Sequence, residues 1–291
     1  MPNFPIIDTH LHVWDQTRLK YSAFDGHPLF GHPYHVEDYQ RDCGTLDIEA
    51  MVFLECYADF WPGGGQYIDE IKFVEDEAIR DPRLKAIVPM APLEWGDKVL
   101  PMLHQMRDQH PTVKGIRRIV EFDANPRALT LSEGFIKGVN LLDTLGWHFE
   151  INVNHTQMDI VRAFVPRVAT PMILDHCGKP GIAEGAIDQY RADVTALAKH
   201  KNLWIKLSDL PIEAAKDWTE ADIRPYIAAT LEAFGPDRTI FAGDYPICLA
   251  ATTMTAWVDL LDRAFADLGL SLHETRAIYR DNANRFYRLG L

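Results

Sequence analysis

Residues 6–15 read Ile-Ile-Asp-Thr-His-Leu-His-Val-Trp-Asp. The apolar, β-branched start predicts a strand over residues 6–13. Side chains at alternate strand positions share a face, so His10 and His12 project together, with Asp8 behind them. Their Cα atoms should lie about 6–7 Å apart, close enough for two imidazoles to converge on one ion. The strand runs into His-Leu-His, where a nucleotide-binding open sheet would carry a glycine-rich turn. That difference decides between the two architectures the rest of the chain allows.

Seven further short apolar segments follow, over residues 50–55, 84–90, 113–119, 148–153, 172–175, 203–207 and 239–242. Between most of them lie stretches of helical period, over 68–79, 99–109, 135–145, 188–199, 223–234 and 255–268, with a closing helix over 281–287. Strand alternating with helix implies parallel strands joined by helical crossovers. Eight such strands in 291 residues fit a closed (β/α)8 TIM barrel of the α/β class, which needs roughly 250 residues. No internal repeat, low-complexity run or linker divides the chain, so residues 1–291 read as a single barrel domain.

Composition narrows the function. The net charge is −13 and no Lys/Arg cluster is present, which argues against a nucleic-acid partner. No run approaches ~18 apolar residues, so no membrane span is expected. Cys43, Cys56, Cys177 and Cys248 form no C-x-x-C pair, which suits a reducing compartment. The first residues lack the pattern of a signal peptide. The expected location is the cytoplasm.

Several strands end in polar residues, and the carboxyl ends of barrel strands form the active-site rim. Arg117 and Arg118 follow the fourth strand; adjacent residues diverge, so Arg117 is taken to face the barrel. Asn154 and His155 follow the fifth strand, His176 the sixth, Ser208 and Asp209 the seventh, and Asp244 the eighth. Three histidines and an aspartate can form a metal site, and an aspartate beside water can act as general base. Cys177 adjoins His176, but adjacent strand residues point apart, which disfavours a thiol mechanism. Trp14, Tyr21, Phe24, Phe60 and Trp61 lie near predicted loops, where aromatic faces can stack on a substrate ring or simply anchor loops. The segment Gly26–His35, with His27, His32 and His35, reads equally as a lid or as a solvated loop.

Together, IIDTHLHVWD (6–15), GIRR (115–118), ILDHCGKP (173–180), IKLSDL (205–210), FAGDYPICL (241–249) and DNANRFYRL (281–289) closely resemble the predicted metal-dependent hydrolases of the amidohydrolase superfamily. The nearest resemblance is to the branch that holds L-fuconolactonase and L-rhamnonolactonase. It implies a distorted barrel in which Asp244 activates water against a lactone carbonyl. His10, His12 and His176 would polarise that carbonyl, directly or through one divalent ion, zinc first, weakly held or dispensable. With Asp244 they form the implied metal set. Arg117 would hold a substrate oxygen or carboxylate, and His155, Trp14 and Glu55 complete the substrate-binding set. The bridging lysine of binuclear members falls near Arg117 here, so the resemblance implies at most one ion. Tyr245-Pro246 stands where the family usually has Trp-Pro.

The implied partner is a small lactone, and a homo-oligomer stays open. Two alternatives also stay open: decarboxylation of a small aromatic or muconate-type acid, for which Glu55 could supply a carboxylate, and an inactive barrel that only binds a ligand.

Overall fold

The computed structural model describes residues 2–59 and 67–291. The Trp61–Gly65 stretch, with the aromatics Phe60 and Trp61, lies outside the described residues.

All eight predicted strands form: β1 (Ile6–Leu11), β2 (Ile48–Leu54), β3 (Leu84–Val88), β4 (Gly115–Ile119), β5 (His148–Asn152), β6 (Met172–Leu174), β7 (Leu203–Leu207) and β8 (Thr239–Phe241). Every ladder is parallel. They run as β1-β2-β3 and as β4-β5-β6-β7-β8. The two arcs meet at seams built from single bonds. Between β3 and β4, Ile87 N–H donates to the Thr112 carbonyl at 2.9 Å and Arg117 N–H to that of Pro89 at 3.0 Å. Between β8 and β1, His12 N–H donates to the Tyr245 carbonyl at 2.7 Å, and the Thr9 hydroxyl to the Phe241 carbonyl at 2.7 Å. The result is a distorted (β/α)8 barrel.

Asp8 stitches the second seam. Its carboxylate accepts from Gly243 N–H at 2.8 Å, His10 N–H at 3.1 Å and the Tyr39 hydroxyl at 2.9 Å. A Cβ on Gly243 would sit 2.5 Å from Asp8 Oδ2, so the seam requires glycine there.

Alternation along the strands sorts the core into two shells. Ile7, Ala50, Val52, Leu54, Ala86, Val88, Ile173 and Ile240 pack with one another and with Phe286 and Tyr287 of the closing helix, inside the barrel. Ile6, Phe53, Ile87, Ile116, Phe149, Leu174, Ile205 and Phe241 pack outward, in the cluster shared with the helices. Among the polar residues at interior strand positions, Arg117, Glu150 and Lys206 are buried and charged.

The predicted strand ends overshoot at the rim. β1 stops at Leu11 and β6 at Leu174, because the next residues leave the ladder. Helices begin a turn earlier than predicted where polar caps extend them: Thr219 and Asp222 cap a helix over Glu220–Phe234 reciprocally.

Candidate active site

At the carboxyl end of the barrel, six residues have left-handed backbone, among them Tyr57 after β2 at φ 55°. His176 has φ 50°, Cys177 57°, Lys179 48°, Asp209 64° and Asp244 55°. That region is unfavourable for side chains with a Cβ, by about 1 kcal/mol or more each. The turn is what aims His176, Asp209 and Asp244 at one another across the mouth. They line a cavity of about 180 Å3 together with His12, Arg117, Glu121, Asn152 and Lys179.

The four strand-end residues singled out in the sequence meet there. His10 Nε2 lies 3.1 Å from His12 Nε2 and 3.4 Å from Asp244 Oδ1. His12 Nε2 is 3.3 Å from the same oxygen. The His10 and His176 rings are 4.4 Å apart between centroids. His10, His176 and Asp244 each offer a ligand atom within 4.8 Å of the others. All four residues are buried.

Burial opposes ionisation of the imidazoles. It pushes His176 down to about 3 against the pull of Asp244 and Asp175, and His10 well below its ordinary value with help from the Lys206 charge. Both rings are therefore neutral near pH 7, the state a metal ligand needs. Burial also opposes charge on Asp244. His176 and His12 outweigh it and hold that carboxyl below the usual range. Asp209 goes the other way: burial and the Asp244 charge raise it well above its ordinary value. Ionisation of either carboxyl therefore disfavours ionisation of the other.

Asp244 Oδ1 is buried without a hydrogen-bond partner. Such an oxygen is expensive to desolvate unless something occupies it. Neutral imidazoles and a carboxylate with a bare oxygen are the donor set of a borderline divalent cation. The residues fit a single divalent metal ion.

Arg117 is seated under the cavity. Its Nε donates to Asp175 Oδ2 at 2.7 Å, one terminal nitrogen donates to the Glu55 carbonyl at 3.1 Å, and the other lies 3.5 Å from His176 Nε2. It faces the barrel as expected, but most of its donors are already committed.

Of the expected substrate-binding residues, Trp14 and His155 do not line the cavity, and Glu55 meets the cluster through Arg117, whose guanidinium lies 3.8 Å from Glu55 Oε1. Trp14 is fully buried, stacks on Phe24 at 4.4 Å and donates its indole N–H to the His32 carbonyl at 2.9 Å. It anchors the early loop, and Phe24, Tyr57 and Phe122 are the aromatics that line the cavity among the described residues. His155 opens the turn after β5 and packs beside Gly181; Asn152, three residues earlier, lines the cavity instead. Glu55 binds Tyr57 N–H at 3.2 Å and borders a neighbouring cavity. Cys177 donates to the Lys206 carbonyl at 3.2 Å, and burial pushes its thiol up to about 11. That removes it as a nucleophile near neutral pH. In the 26–35 loop, His27 accepts two backbone N–H groups and His35 pairs with Glu77 at 3.1 Å.

Sequence reading missed an ionic column beneath the site. Lys206 pairs with Glu150 and, at 3.2 Å, with Asp175 Oδ1, and its Nζ lies 3.4 Å from His10 Nδ1. Glu150 also accepts from the Tyr287 hydroxyl at 2.8 Å and lies 2.9 Å from His148 Nε2. The signal was available: one charged residue at an inward position of an otherwise apolar central strand, in His-Phe-Glu-Ile-Asn and Leu-Trp-Ile-Lys-Leu. A charge there needs a partner across the barrel. At the rim, Lys179 was also missed; it pairs with Glu121 at 2.8 Å and lies 3.9 Å from Glu213.

Fold and cluster together define a barrel whose mouth groups residues able to hold a divalent metal ion. The chain belongs to the amidohydrolase family, whose family model matches residues 7–289. Among its relatives is an L-fucono-1,5-lactonase of Burkholderia multivorans, 31% identical over 97% of this chain and 96% of that protein. An L-rhamnono-gamma-lactonase of Scheffersomyces stipitis is 24% identical over 99% of this chain and all of that one. The crystal structure of a Burkholderia multivorans amidohydrolase with bound zinc superposes with a TM-score of 0.86, at 27% identity, over 98% of this chain and 99% of that one. Among the described residues, no helix is long and apolar enough to cross a membrane.

Proposed function

We propose that this protein hydrolyses a lactone of a sugar acid or related carboxylic acid, through a water activated by Asp244. One observation carries the reading: an ionised, buried carboxylate with a bare oxygen lies within 3.3–3.4 Å of two strand-one imidazoles at the barrel mouth. The lactonase relatives support the substrate class.

Opening a lactone needs a nucleophile, a partner for the developing oxyanion, and a proton for the leaving alkoxide. Asp244 takes the proton from water lodged in the cavity. A general base placed this way contributes roughly 10²–10⁴-fold. Arg117, held flat by Asp175 and the Glu55 carbonyl, places positive charge beneath His176 and the reacting carbonyl. Oxyanion stabilisation of this kind is often the largest catalytic term. The proton acquired by Asp244 is then available to the ring oxygen as the C–O bond breaks, so the product is an open hydroxy acid. A divalent ion, zinc by preference, would be held by His10, His12, His176 and Asp244, and would supply Lewis acidity to the carbonyl. Lys179 at the rim is placed to meet a polar or anionic substituent of the substrate.

The test is a panel of aldonolactones and dicarboxylic lactones followed by acid release with a pH indicator. Saturable acid release on at least one sugar-acid lactone is expected. Carbon dioxide evolution from aromatic acids, with no acid release from any lactone, would overturn the reading. The whole chain is taken as one catalytic domain.

A further inference from the structure

The catalytic cavity has a larger neighbour. Outside the carboxyl ends of β2, β3 and β4 lies a space of about 640 Å3, whose walls include Tyr57, Ala58, Met90, Ile119, Phe122 and Ala124. Tyr57, Ile119 and Phe122 also line the catalytic cavity, so the two spaces share a wall. The catalytic cavity, at about 180 Å3, is smaller than the roughly 300–1,000 Å3 of ordinary ligand pockets, and its neighbour falls within that range. The first suits a reacting ring. The second suits a part of the ligand that does not react but whose binding adds to kcat/KM.

The walls restrict what that part can be. Tyr57 leaves β2 through left-handed backbone, φ 55°, and its ring lies 5.5 Å from that of Phe122, tilted by 52°. Phe122 lines both cavities yet is 68% exposed. A large aromatic left open at the edge of an apolar cavity offers its face or edge to another ring. The charged groups of the walls are already engaged. Arg118 donates to the Ile119 carbonyl at 3.1 Å and lies 3.5 Å from Glu94 and 3.7 Å from Asp123. Asp59 accepts from Ser22 N–H at 3.0 Å and from its hydroxyl at 2.6 Å, and Glu55 accepts from Tyr57 N–H at 3.2 Å. An ionic substituent would have to compete for counter-charges that are already paired. A sugar ring would bring several hydroxyls against apolar walls, a cost that an aromatic ring avoids.

We propose that this second cavity is a specificity subsite that takes a neutral aryl substituent carried by the lactone. The proposal rests on the lactone reading for the reaction, and on Tyr57, Phe122 and Met90 for the substituent.

The test compares an aldonolactone with its O-benzyl and O-glucosyl derivatives, each substituted at the hydroxyl farthest from the carbonyl, on the full-length protein. Acid release should give a kcat/KM for the benzyl derivative at least about tenfold above that of the plain lactone, the scale on which an apolar pocket discriminates. Ala124→Trp places a large ring in the cavity from an exposed wall position, and should bring that ratio close to one. General damage to the barrel would slow both substrates and leave the ratio unchanged. A benzyl derivative no better than the plain lactone overturns the proposal, as does a ratio that survives Ala124→Trp; preference for the glucosyl derivative overturns the aryl assignment. A binding measurement separates this from failure of the lactone reading. The matching cyclic ethers lack the carbonyl and cannot be hydrolysed. By calorimetry the benzyl-bearing ether should bind at least about tenfold tighter than the plain one. If it does while no lactone turns over, the reaction assignment falls and the subsite stands. Equal binding of the two ethers overturns the subsite whether or not lactones are hydrolysed.

Discussion

The two ends of this barrel treat polar groups in opposite ways. At the floor, where strands begin, polar atoms are spent on structure. Asn282 donates to the carbonyls of Pro236 at 2.7 Å and Thr239 at 2.8 Å. Arg238 donates to those of Ala198, His200 and Leu203. Gly115 forgoes a side chain whose Cβ would sit 2.6 Å from the His148 ring, so that His148 can reach Glu150. At the mouth, Asp209 Oδ1, Asp244 Oδ1, Asn152 Oδ1 and the Tyr57 hydroxyl are buried without hydrogen-bond partners. Strained backbone concentrates there too, at His176, Cys177, Lys179, Asp209 and Asp244. Unsatisfied atoms and strain each cost free energy and persist only where the surrounding fold over-determines them. The floor holds the barrel together, and the mouth is kept in a state that water, metal or substrate completes.

The sharpest way to break this contrast is to remove one polar group at each end. Asp244→Asn should lower kcat by about 10²–10⁴-fold while the protein stays folded, as circular dichroism would show. Retention of full activity on the true substrate would remove Asp244 as base. At the floor, Asn282→Ala strips donors from two carbonyls. A loss of roughly 2–4 kcal/mol in urea unfolding is expected, with kcat/KM preserved. A variant that unfolds normally but turns over slowly would place catalytic work at the wrong end.

Part of this contrast was legible in the sequence. Eight apolar segments separated by helical stretches were enough for the barrel, because each period is local. His10, His12, His176 and Asp244 were legible as ends of strands, since the carboxyl ends of a barrel converge. The substrate shell was not. Whether Trp14 faces a ligand or a loop depends on the path of residues 24–34, which fold back on it. His155 against Asn152 is a question of where β5 stops, a matter of three residues. Lys206 and Glu150 were readable as misplaced charges, but the approach of Lys206 to His10 required strands far apart in sequence to be assembled.

A subtler comparison uses pH. Burial, opposed by Lys179 and reinforced by Glu121, raises the Glu213 carboxyl at the mouth to about 7 from an ordinary 4.5. Between those values the folded protein keeps a proton that the unfolded chain has lost. Stability from this group is therefore full below about pH 4.5 and declines until about pH 7. Glu213→Gln should remove that slope. In urea titrations the variant should match the parent near pH 4.5 and exceed it by about 1–3 kcal/mol at pH 8, an upper range because the carboxyl is partly exposed. A difference that shrinks with rising pH would show that Lys179 outweighs burial.

The smallest expected effect separates useful strain from incidental strain. Arg288, at the floor, also has left-handed backbone, with φ 55°, and its guanidinium donates to the Lys114 carbonyl at 3.3 Å. It ends the closing helix, the position where glycine is ordinarily favoured. Arg288→Gly should leave kcat/KM untouched and change stability by less than about 1 kcal/mol, toward greater stability. Lys179→Gly relaxes a similar angle at the mouth but removes the ion pair with Glu121, and KM for a polar lactone should rise. If both glycines behaved alike, the left-handed turns of the mouth would be caps like the one at Arg288, and their convergence on Asp244 would carry no functional weight.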